Sequence, residues 1–389
     1  MRTVYIGDTT LRDGEQMPGA ALAPADKVRI ARALADAGVV ALDAGFPAAA
    51  PSEIDAIRAI VREVPGIPLS ALCRTLTADI DRAREAFEDA PRERRSVSLF
   101  IGTSPLHREH KLRKSVPETL RIVRESIEYA RQWFDSVGFS PEDASRTEPE
   151  VLCEVYREAI DAGARYVGFP DTVGVLTPEG VRRWIARIQD GVPNLGKAAL
   201  VGHFHNDLGL ATANALASLQ EGLSVVQCTV NGIGERAGNT SLEEVALAIA
   251  VGGPDLGLQT TIKLDRLWSL GRLVSECTGI PIPANKPVVG GNVFATEAGI
   301  HQDGLLKHPD TYLPFRPELV GAPGIELKLG VHSGRAAFGA RLASLGHDLT
   351  PADLDEVVAR AKAAPKAAWA DETALLAGLV AGVQARAVR

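Results

Sequence analysis

Cysteine is scarce in this chain, and the few thiols present are widely separated. The 389 residues include Cys73, Cys153, Cys228 and Cys277, and no pair has the CxxC spacing. Small secreted proteins that depend on disulfides place their cysteines much closer together. The spacing therefore predicts buried free thiols in a reducing cytoplasm.

The chain also lacks an excess of positive charge and a long apolar run. Its 42 lysines and arginines stand against 49 aspartates and glutamates, which gives a formal net charge of -7. This balance gives no reason to expect nucleic acid or an anionic membrane as a partner. No run approaches the roughly 18 apolar residues of a membrane span, and the N-terminus carries no apolar signal region. We expect a cytoplasmic protein whose hydrophobic residues, 46% of the chain, form a large core.

Short apolar runs alternate with amphipathic stretches along most of the chain. Strands are predicted at residues 4–9, 39–45, 68–73, 96–102, 134–140, 166–171, 198–206 and 225–232. Helical patterns lie between them, for example at residues 25–37, 53–64, 116–133 and 150–162. Eight strands alternating with helices over about 250 residues predict a closed (β/α)8 TIM barrel.

Polar residues follow the predicted strands at the ends where they finish. They are Asp13, Asp43, Arg74, Ser104, Glu142, Asp171, His203, His205 and Asn231. In a TIM barrel the C-terminal ends of the strands carry the chemistry. The pattern therefore predicts an active site at this end of the barrel.

The alternation stops near residue 275, where prolines and a Gly290-Gly291 pair interrupt it. Helices are predicted further on, at residues 336–345, 351–363 and 373–387. We interpret residues 1–275 as the catalytic barrel. Residues 276–389 are interpreted as a small, mostly helical appendage.

Two histidines on the seventh predicted strand suggest a metal site. His203 and His205 are separated by one residue, so their side chains point to the same face of the strand. Two ordinary polar strand residues are the alternative interpretation. Asp13 after the first strand and Asn239 after the eighth could complete the set, because these strands are near neighbours in a closed barrel. Mixed oxygen and nitrogen ligands fit a divalent ion such as Mg²⁺, Mn²⁺, Zn²⁺ or Co²⁺.

These motifs resemble the metal-dependent Claisen-condensing barrel enzymes, which include 2-isopropylmalate, homocitrate and citramalate synthases. The resemblance runs from residue 5 to about 340. Its motifs are at residues 8–16, 45–48, 103–107, 139–147, 170–174, 203–210, 231–239, 299–304 and 332–335. It implies that Asp13, His203, His205 and Asn239 bind the metal ion.

The resemblance also implies a reaction. A 2-oxo acid chelates the metal, acetyl-CoA loses a methyl proton, and the enolate attacks the polarised keto group. Hydrolysis of the thioester then releases CoA. Arg12 is expected to stabilise the developing negative charge, and Thr172 to bind the carboxylate of the 2-oxo acid.

The appendage supplies further candidates through the same resemblance. His301, in a Gly-Ile-His-Gln-Asp-Gly signature, is the expected general base or its relay, with Glu297 to orient it and Tyr312 as its partner. Glu142 is a further catalytic candidate on the barrel. In this family the appendage reaches the barrel of the other subunit, so a homodimer with exchanged appendages is expected.

The positions expected to select the acceptor depart from the family pattern. Asp43 replaces a glutamate, and Gly138 stands where related enzymes carry a glutamate or an arginine. Ser140 and Thr172 remain as substrate-binding candidates. The acceptor is therefore expected to be unusual, for example a phosphonate-bearing 2-oxo acid as in phosphonomethylmalate synthases. The polar groups available for an anionic tail are Arg74, Ser104 and His107.

Three other functions compete with this one. A lyase on the same barrel would share the aspartate and His-x-His ligands, although the motifs at residues 299–304 and 332–335 favour synthesis. A metal-dependent hydrolase would carry His-x-His on its first strand rather than its seventh. A non-catalytic barrel would not need every proposed catalytic position to be filled.

Overall fold

The computed structural model describes residues 1–387, and eight parallel strands in it form a closed barrel. The strands are β1 (Arg2–Asp8), β2 (Ala41–Asp43), β3 (Leu69–Arg74), β4 (Arg95–Gly102), β5 (Ser136–Glu142), β6 (Tyr166–Asp171), β7 (Ala199–Phe204) and β8 (Val225–Cys228). Each strand pairs with its neighbours in sequence, and β1 closes the ring by pairing with both β8 and β2. The predicted (β/α)8 barrel is confirmed.

Helices connect the strands on the outside of the barrel. They are α1 (Pro24–Ala37), α2 (Pro51–Glu63), α3 (Thr77–Ala86), α4 (Val116–Ala130), α5 (Pro149–Asp161), α6 (Pro178–Gly191), α7 (Ala211–Gln220) and α8 (Leu242–Leu256). Local signals set several of their ends. Helix α4 starts with a capping box between Ser115 and Glu118, and α1 stops at Gly38, whose φ of 93° favours glycine.

Successive side chains of the barrel strands point alternately outward and inward. On β4, Val97 and Leu99 point outward and are fully buried beneath the helices, which stabilises the fold by about 1.5–3 kcal/mol for each such side chain. The alternate residues Ser98 and Phe100 point inward and line a cavity. The small side chain of Ser98 thus leaves room inside the barrel at its C-terminal end.

Two details at the start and end of the barrel were not predicted. A short ninth strand, β9 (Leu258–Thr260), pairs with the beginning of β1. Strand β8 stops at Cys228 rather than at residue 232, because Asn231 takes a left-handed φ of 61° within a tight turn. The Asn231 amide then donates to the carbonyl of Gly271 in α9 (Leu267–Thr278). Asn231 thus follows the end of its strand, as predicted, and its side chain anchors a helix.

All four thiols are free, as predicted. Cys73 and Cys228 are buried, whereas Cys153 and Cys277 are partly exposed. Within residues 1–387, the helices lack the combination of length and apolar character needed to cross a lipid bilayer.

The remainder of the chain, Pro283–Arg389, forms a second compact unit. It contains α10 (Gly299–Lys307), α11 (Arg335–Ser344), α12 (Pro351–Ala363), α13 (Glu372–Ala387) and the paired short strands β10 (Ala295–Thr296) and β11 (Glu326–Leu327). Its core includes Phe338, Leu342, Val357, Leu376 and Val380. The predicted mostly helical appendage is confirmed. The division between the two units falls after Ile282, a little beyond the predicted boundary at residue 275.

Candidate metal and substrate site

The four predicted metal ligands converge at the C-terminal end of the barrel. Single ligand atoms of Asp13, His203 and His205 all lie within 4.8 Å of one another, and the three residues are buried. Asp13 Oδ2 is 3.7 Å from His203 Nε2 and 4.0 Å from His205 Nε2. The Asn239 amide donates to Asp13 Oδ1 at 2.6 Å. Their role as ligands remains a prediction, and their proximity is the geometry that it requires.

Backbone turns at two strand ends bring these side chains together. After β1, the N–H groups of Arg12, Asp13 and Gly14 all donate to the carbonyl of Thr9, at 2.9–3.1 Å. This tight turn carries Asp13 back over the barrel mouth. On the other side, His205 forms an isolated antiparallel bridge with Asn239. The loop after β8 is thereby held against the end of β7.

The donor set fits a divalent cation. His203 Nε2 and His205 Nε2 face each other at 3.2 Å, so the two nitrogens need either a shared proton or a shared cation between them. Gln227 Oε1 accepts a hydrogen bond from His203 Nδ1 at 3.1 Å, which leaves Nε2 as the ring nitrogen with a free lone pair. Asn239 Oδ1 is buried without a hydrogen-bond partner among the described residues. A metal ion would satisfy these atoms.

The charge states of these residues also suit a metal ion. Burial, reinforced by His205, lowers the pKa of His203 to about 3, so its imidazole is neutral at physiological pH. Burial likewise lowers the pKa of His205. Burial alone would raise the pKa of Asp13, but Arg12 and the two imidazoles hold it below its ordinary value. Two neutral imidazoles and a carboxylate are therefore present without competition from protons.

Arg12 connects the candidate metal site to the second strand. Its Nη1 lies 2.7 Å from Asp13 Oδ2, and its Nε lies 2.7 Å from Asp43 Oδ2. Burial would lower the pKa of Arg12, but the two carboxylates raise it, so the guanidinium stays charged. The remaining nitrogen, Nη2, has no hydrogen-bond partner among the described residues. It is the group of Arg12 that is available to a substrate.

A cavity of about 290 Å³ opens beside this cluster. Its lining combines the ligand candidates with other charged side chains and with apolar, hydroxyl and amide side chains, from strands and the loops after them: Arg12, Asp13, Gln16, Asp43, Leu72, Ser98, Phe100, Lys111, Ser140, Glu142, Pro170, Thr172, His203, His205, Gln227 and Glu235. The volume is close to that of sites for small metabolites.

Two predicted substrate-binding residues have hydrogen-bonding capacity left in this cavity. The backbone N–H of Asp143 donates to Thr172 Oγ1 at 2.9 Å, which leaves the hydroxyl hydrogen of Thr172 free to donate to a bound carboxylate. Asp43 Oδ1 is buried without a partner among the described residues. Burial raises the pKa of Asp43 above its ordinary value. Ser140 also lines the cavity.

The three residues predicted for an anionic tail do not line this cavity, and their role stays a prediction. Arg74 forms a two-pronged ion pair with Asp79 at the start of α3, at 2.8 and 2.9 Å. Ser104 Oγ accepts from the backbone N–H of His107 and caps the next turn. The His107 ring lies 3.5 Å from Glu142 and 4.0 Å from Asp143. Arg74 and Ser104 are thus engaged within their own loops, whereas His107 faces acidic residues at the end of β5, and its Nδ1 has no hydrogen-bond partner among the described residues.

Glu142 and Gly138 lie on the inner face of β5. Glu142 lines the cavity and accepts two hydrogen bonds from Lys111, at 2.7 and 2.8 Å. Gly138 lies deeper, where an added Cβ would meet Ser98 Oγ at 3.6 Å and Tyr166 at 3.7 Å. Those are ordinary contact distances, so the absence of a side chain at Gly138 leaves space beneath the site.

The candidates of the appendage lie within its own unit. His301, at the start of α10, is exposed, and its ring stacks on Tyr312 with centroids 4.1 Å apart. Glu297 precedes the helix, and its carboxylate packs against Gly330. A Cβ added at Gly330 would lie 1.9 Å from Glu297 Oε1. No hydrogen bond joins Glu297 to His301 among the described residues. The stacked pair agrees with the predicted partnership of His301 and Tyr312, and the orienting role of Glu297 remains a prediction.

Several cavity residues were not assigned from the sequence. Gln227 sets the His203 tautomer, and Glu235 and Gln16 lie in the motifs that supplied Asn239 and Asp13. Lys111 lies in a basic stretch that resembles a solvated face. For Glu235 and Gln16, the position within a recognised motif was the signal that could have assigned them to the site. Gln227 is a neutral strand residue outside these motifs, and nothing in the sequence indicated its role.

Comparisons with family models place most of the chain in known families. Residues 3–274 match the model described as HMGL-like. Residues 288–368 match the model described as homocitrate synthase post-HMGL domain-like. The two matches correspond to the barrel and to much of the appendage.

Several proteins similar to this chain are named 2-isopropylmalate synthase. The 2-isopropylmalate synthase of Rhodopirellula baltica is 46% identical over 356 residues, which are 92% of this chain and 67% of that protein. The 2-isopropylmalate synthase of Pyrococcus furiosus is 44% identical, over 93% of this chain and 72% of its own length.

Among solved structures, the barrel resembles hydroxymethylglutaryl-CoA lyases. The Pseudomonas aeruginosa enzyme has a TM-score of 0.62 and 26% identity, and the match covers 72% of this chain and 95% of that chain. The Bacillus subtilis enzyme has a TM-score of 0.62 at 22% identity, covering 73% and 97%. At that identity the second likeness establishes the barrel fold alone.

Proposed function

The chain belongs to the 2-isopropylmalate synthase family, and from this premise we propose that it joins acetyl-CoA to a 2-oxo acid with an uncharged side chain. The observation that carries the proposal is the buried cluster of Asp13, His203 and His205 beside Arg12, in a cavity of metabolite size. The reaction class is that of an acyl-CoA:2-oxo acid acyltransferase, which releases CoA.

Asp13, His203, His205 and Asn239 would hold the divalent metal ion. When bound, such an ion acts as a Lewis acid that polarises the keto group of the 2-oxo acid. Gln227 orients His203 for this task through the hydrogen bond to Nδ1. The Asn239 amide nitrogen is engaged by Asp13, which directs its carbonyl oxygen away from that bond.

Arg12 and Thr172 would bind and orient the acceptor. The free Nη2 of Arg12 can donate to the oxygen on which negative charge develops as the C–C bond forms. Preorganised donors of this kind are worth about 3–4 kcal/mol in the transition state. The Thr172 hydroxyl donates to the acceptor's carboxylate, because its oxygen already accepts from Asp143. Together they fix the keto carbon for attack by the acetyl-CoA enolate.

The methyl proton of acetyl-CoA must pass to a base. His301, stacked on Tyr312, is the proposed base or relay, acting in a homodimer whose appendages serve the partner's barrel. Glu235 lines the cavity and is a second carboxylate candidate for the same proton. The dimer and a cytoplasmic location remain predictions from the sequence.

The cavity wall favours an acceptor without a second anionic group. Leu72, Phe100 and Pro170 are apolar, and Ser98 and Ser140 are neutral. The cations that line the cavity are Arg12 and Lys111, and each is already paired with carboxylates. A distal carboxylate or phosphonate would find no unpaired cation among these lining residues. This argues against the phosphonomethylmalate synthase alternative.

The test is release of CoA thiol from acetyl-CoA with a panel of acceptors. Pyruvate, 2-oxoisovalerate, 2-oxoglutarate, oxaloacetate and phosphonopyruvate would be compared, each with Mn²⁺ and with a chelator. We expect metal-dependent release with a monocarboxylic acceptor such as 2-oxoisovalerate. Preference for phosphonopyruvate or 2-oxoglutarate would refute the assignment of the acceptor. No release with any acceptor would refute the proposed reaction.

A lyase is the second candidate, because the barrel resembles hydroxymethylglutaryl-CoA lyases. The match of residues 288–368 to a post-HMGL domain of homocitrate synthase favours synthesis. Incubation with 3-hydroxy-3-methylglutaryl-CoA distinguishes the two, since a lyase would form acetyl-CoA from it. We expect no cleavage.

A further inference from the structure

A lysine is buried where the first two barrel loops meet. Lys27 lies in the first turn of α1, and its side chain is only 1% exposed. Its ammonium is 2.5 Å from Glu15 Oε2 and 2.5 Å from Glu53 Oε1. Lysine is rarely buried to this degree without a specific partner, and here it has two.

Each of the two carboxylates also binds backbone in a loop. Glu15 Oε1 accepts from the N–H of Leu22 at 2.9 Å, within the segment that follows β1. Glu53 Oε2 accepts from the N–H of Phe46 at 3.0 Å, just after β2. Gly45 has a φ of 149°, and a Cβ there would be 2.4 Å from Glu53 Oε2. The ion cluster therefore links residues 15–22 to residues 45–46 through α1 and α2.

These two loops carry the charged residues of the candidate site. Glu15 follows Asp13 by two residues, and Gly45 follows Asp43 by two. Arg12 reaches Asp43 only while the two loops keep their present separation, because this ion pair between them is 2.7 Å long. The buried lysine joins the same two loops on the side of α1 and α2.

Stability alone is a weak explanation for this cluster. Apolar residues of similar volume often replace a buried ion pair without loss of stability, since the desolvation of the charges offsets their attraction. What an ion cluster adds is a fixed direction and distance between the groups it joins. We infer that Lys27 is a positioning residue that holds the loops after β1 and β2 in register for Arg12, Asp13 and Asp43. This inference rests on the proposed function of that site.

The experiment compares variants of the full chain in Mn²⁺ binding and in steady-state kinetics. Lys27→Met removes the link. Arg29→Met is the matched control on the same helix, where the arginine is about half exposed and pairs with Asp26 and Glu276. We expect Lys27→Met to bind Mn²⁺ about 10- to 100-fold more weakly, as for the loss of groups that orient metal ligands, and to lower kcat. Arg29→Met should match the wild type, and Lys27→Arg should recover part of the affinity.

Lys27→Met leaves two partly buried carboxylates without their cation, so two further variants guard against a failure of this variant to fold. The triple variant Glu15→Gln, Lys27→Met, Glu53→Gln has no buried charge in this cluster. Glu53→Gln alone retains the pair between Lys27 and Glu15. Wild-type Mn²⁺ affinity and kcat in any folded variant that lacks the Lys27–Glu53 link would overturn the inference.

Hydrogen exchange separates this inference from the proposed function. Without metal, Lys27→Met or the triple variant should exchange amides faster than Arg29→Met in residues 9–22 and 44–50. If the wild type fails to bind Mn²⁺, the metal assignment fails, and exchange in these segments still decides the role of Lys27. Unchanged exchange there would refute the positioning role even if the metal site is correct.

Discussion

Gly234 is the residue at which a single added carbon should do most damage to the candidate metal site. Its φ is 149°, and a Cβ there would lie 2.1 Å from Asn239 Nδ2 and 3.0 Å from Asp13 Oδ1. Gly234→Ala must therefore push apart the hydrogen bond of 2.6 Å between these two side chains. Gly257→Ala is the matched control, because Gly257 has a φ of 68° and nothing within 4 Å of the added carbon.

The expected costs follow from these contacts. A left-handed backbone angle costs an alanine roughly 1–2 kcal/mol, and this is the whole effect expected at Gly257. At Gly234 the strain is about 1–3 kcal/mol, and a hydrogen bond to a charged acceptor worth about 1.5–3 kcal/mol is also lost. The free energy of unfolding should therefore fall by about 2.5–6 kcal/mol in Gly234→Ala. Mn²⁺ affinity should fall about 100-fold or more, because two ligand candidates move.

Urea unfolding without metal and calorimetric titration with Mn²⁺ measure the two effects. Gly257→Ala should lose stability and keep the Mn²⁺ affinity of the wild type. If Gly234→Ala resembled Gly257→Ala in both measurements, the assignment of Asp13 and Asn239 to one metal site would be refuted.

Two further substitutions test the site, and a third tests the buried carboxyl at the end of β1. His203→Ala should abolish thiol release while circular dichroism shows the fold retained, and an active variant would exclude His203 as a ligand. Gln227→Leu should weaken Mn²⁺ binding about 10- to 100-fold by freeing the His203 tautomer, and unchanged affinity would reject that role. Burial raises the pKa of Asp8 from 3.8 to about 7, so its ionisation costs folding free energy as pH rises from 4 to 7. The free energy of unfolding of Asp8→Asn should thus rise relative to that of the wild type by up to roughly 4 kcal/mol between pH 4 and pH 7. A difference in urea unfolding that does not change with pH would contradict this prediction.

The barrel was predictable because its signal is repeated eight times. Each outward strand residue must be buried beneath a helix, so each strand contains a visible apolar run. Strand ends were less predictable, since β8 stops at Cys228 where a polar turn around Asn231 begins. The short β9 (Leu258–Thr260) was missed because three residues give no usable period.

The candidate site was predictable where residue chemistry is unusual and unpredictable where ordinary residues act through pairing. The spacing of His203 and His205 placed both rings on one face. Arg74 also lies at a strand end, but Asp79 five residues later binds it, and only the structure shows that preference. Lys27 resembles a solvated helix residue in sequence, because its two carboxylate partners lie at distant positions.

The charges around the cavity give a physical reason for the acceptor that we propose. Arg12 contributes one positive charge, while Asp13 and Asp43 contribute two negative charges and the imidazole of His203 stays neutral. With a divalent cation these three charged residues carry one net positive charge, which one carboxylate of a 2-oxo acid neutralises. Lys111 and Glu142 pair with each other, and the exposed Glu235 adds a further negative charge to the cavity lining. A second anionic group would leave an excess negative charge in a buried site, where unpaired charge is costly. The free Nη2 of Arg12 then stabilises the negative charge that develops on the substrate oxygen in the transition state. This explains why a guanidinium with two paired nitrogens and one available nitrogen lies at this position.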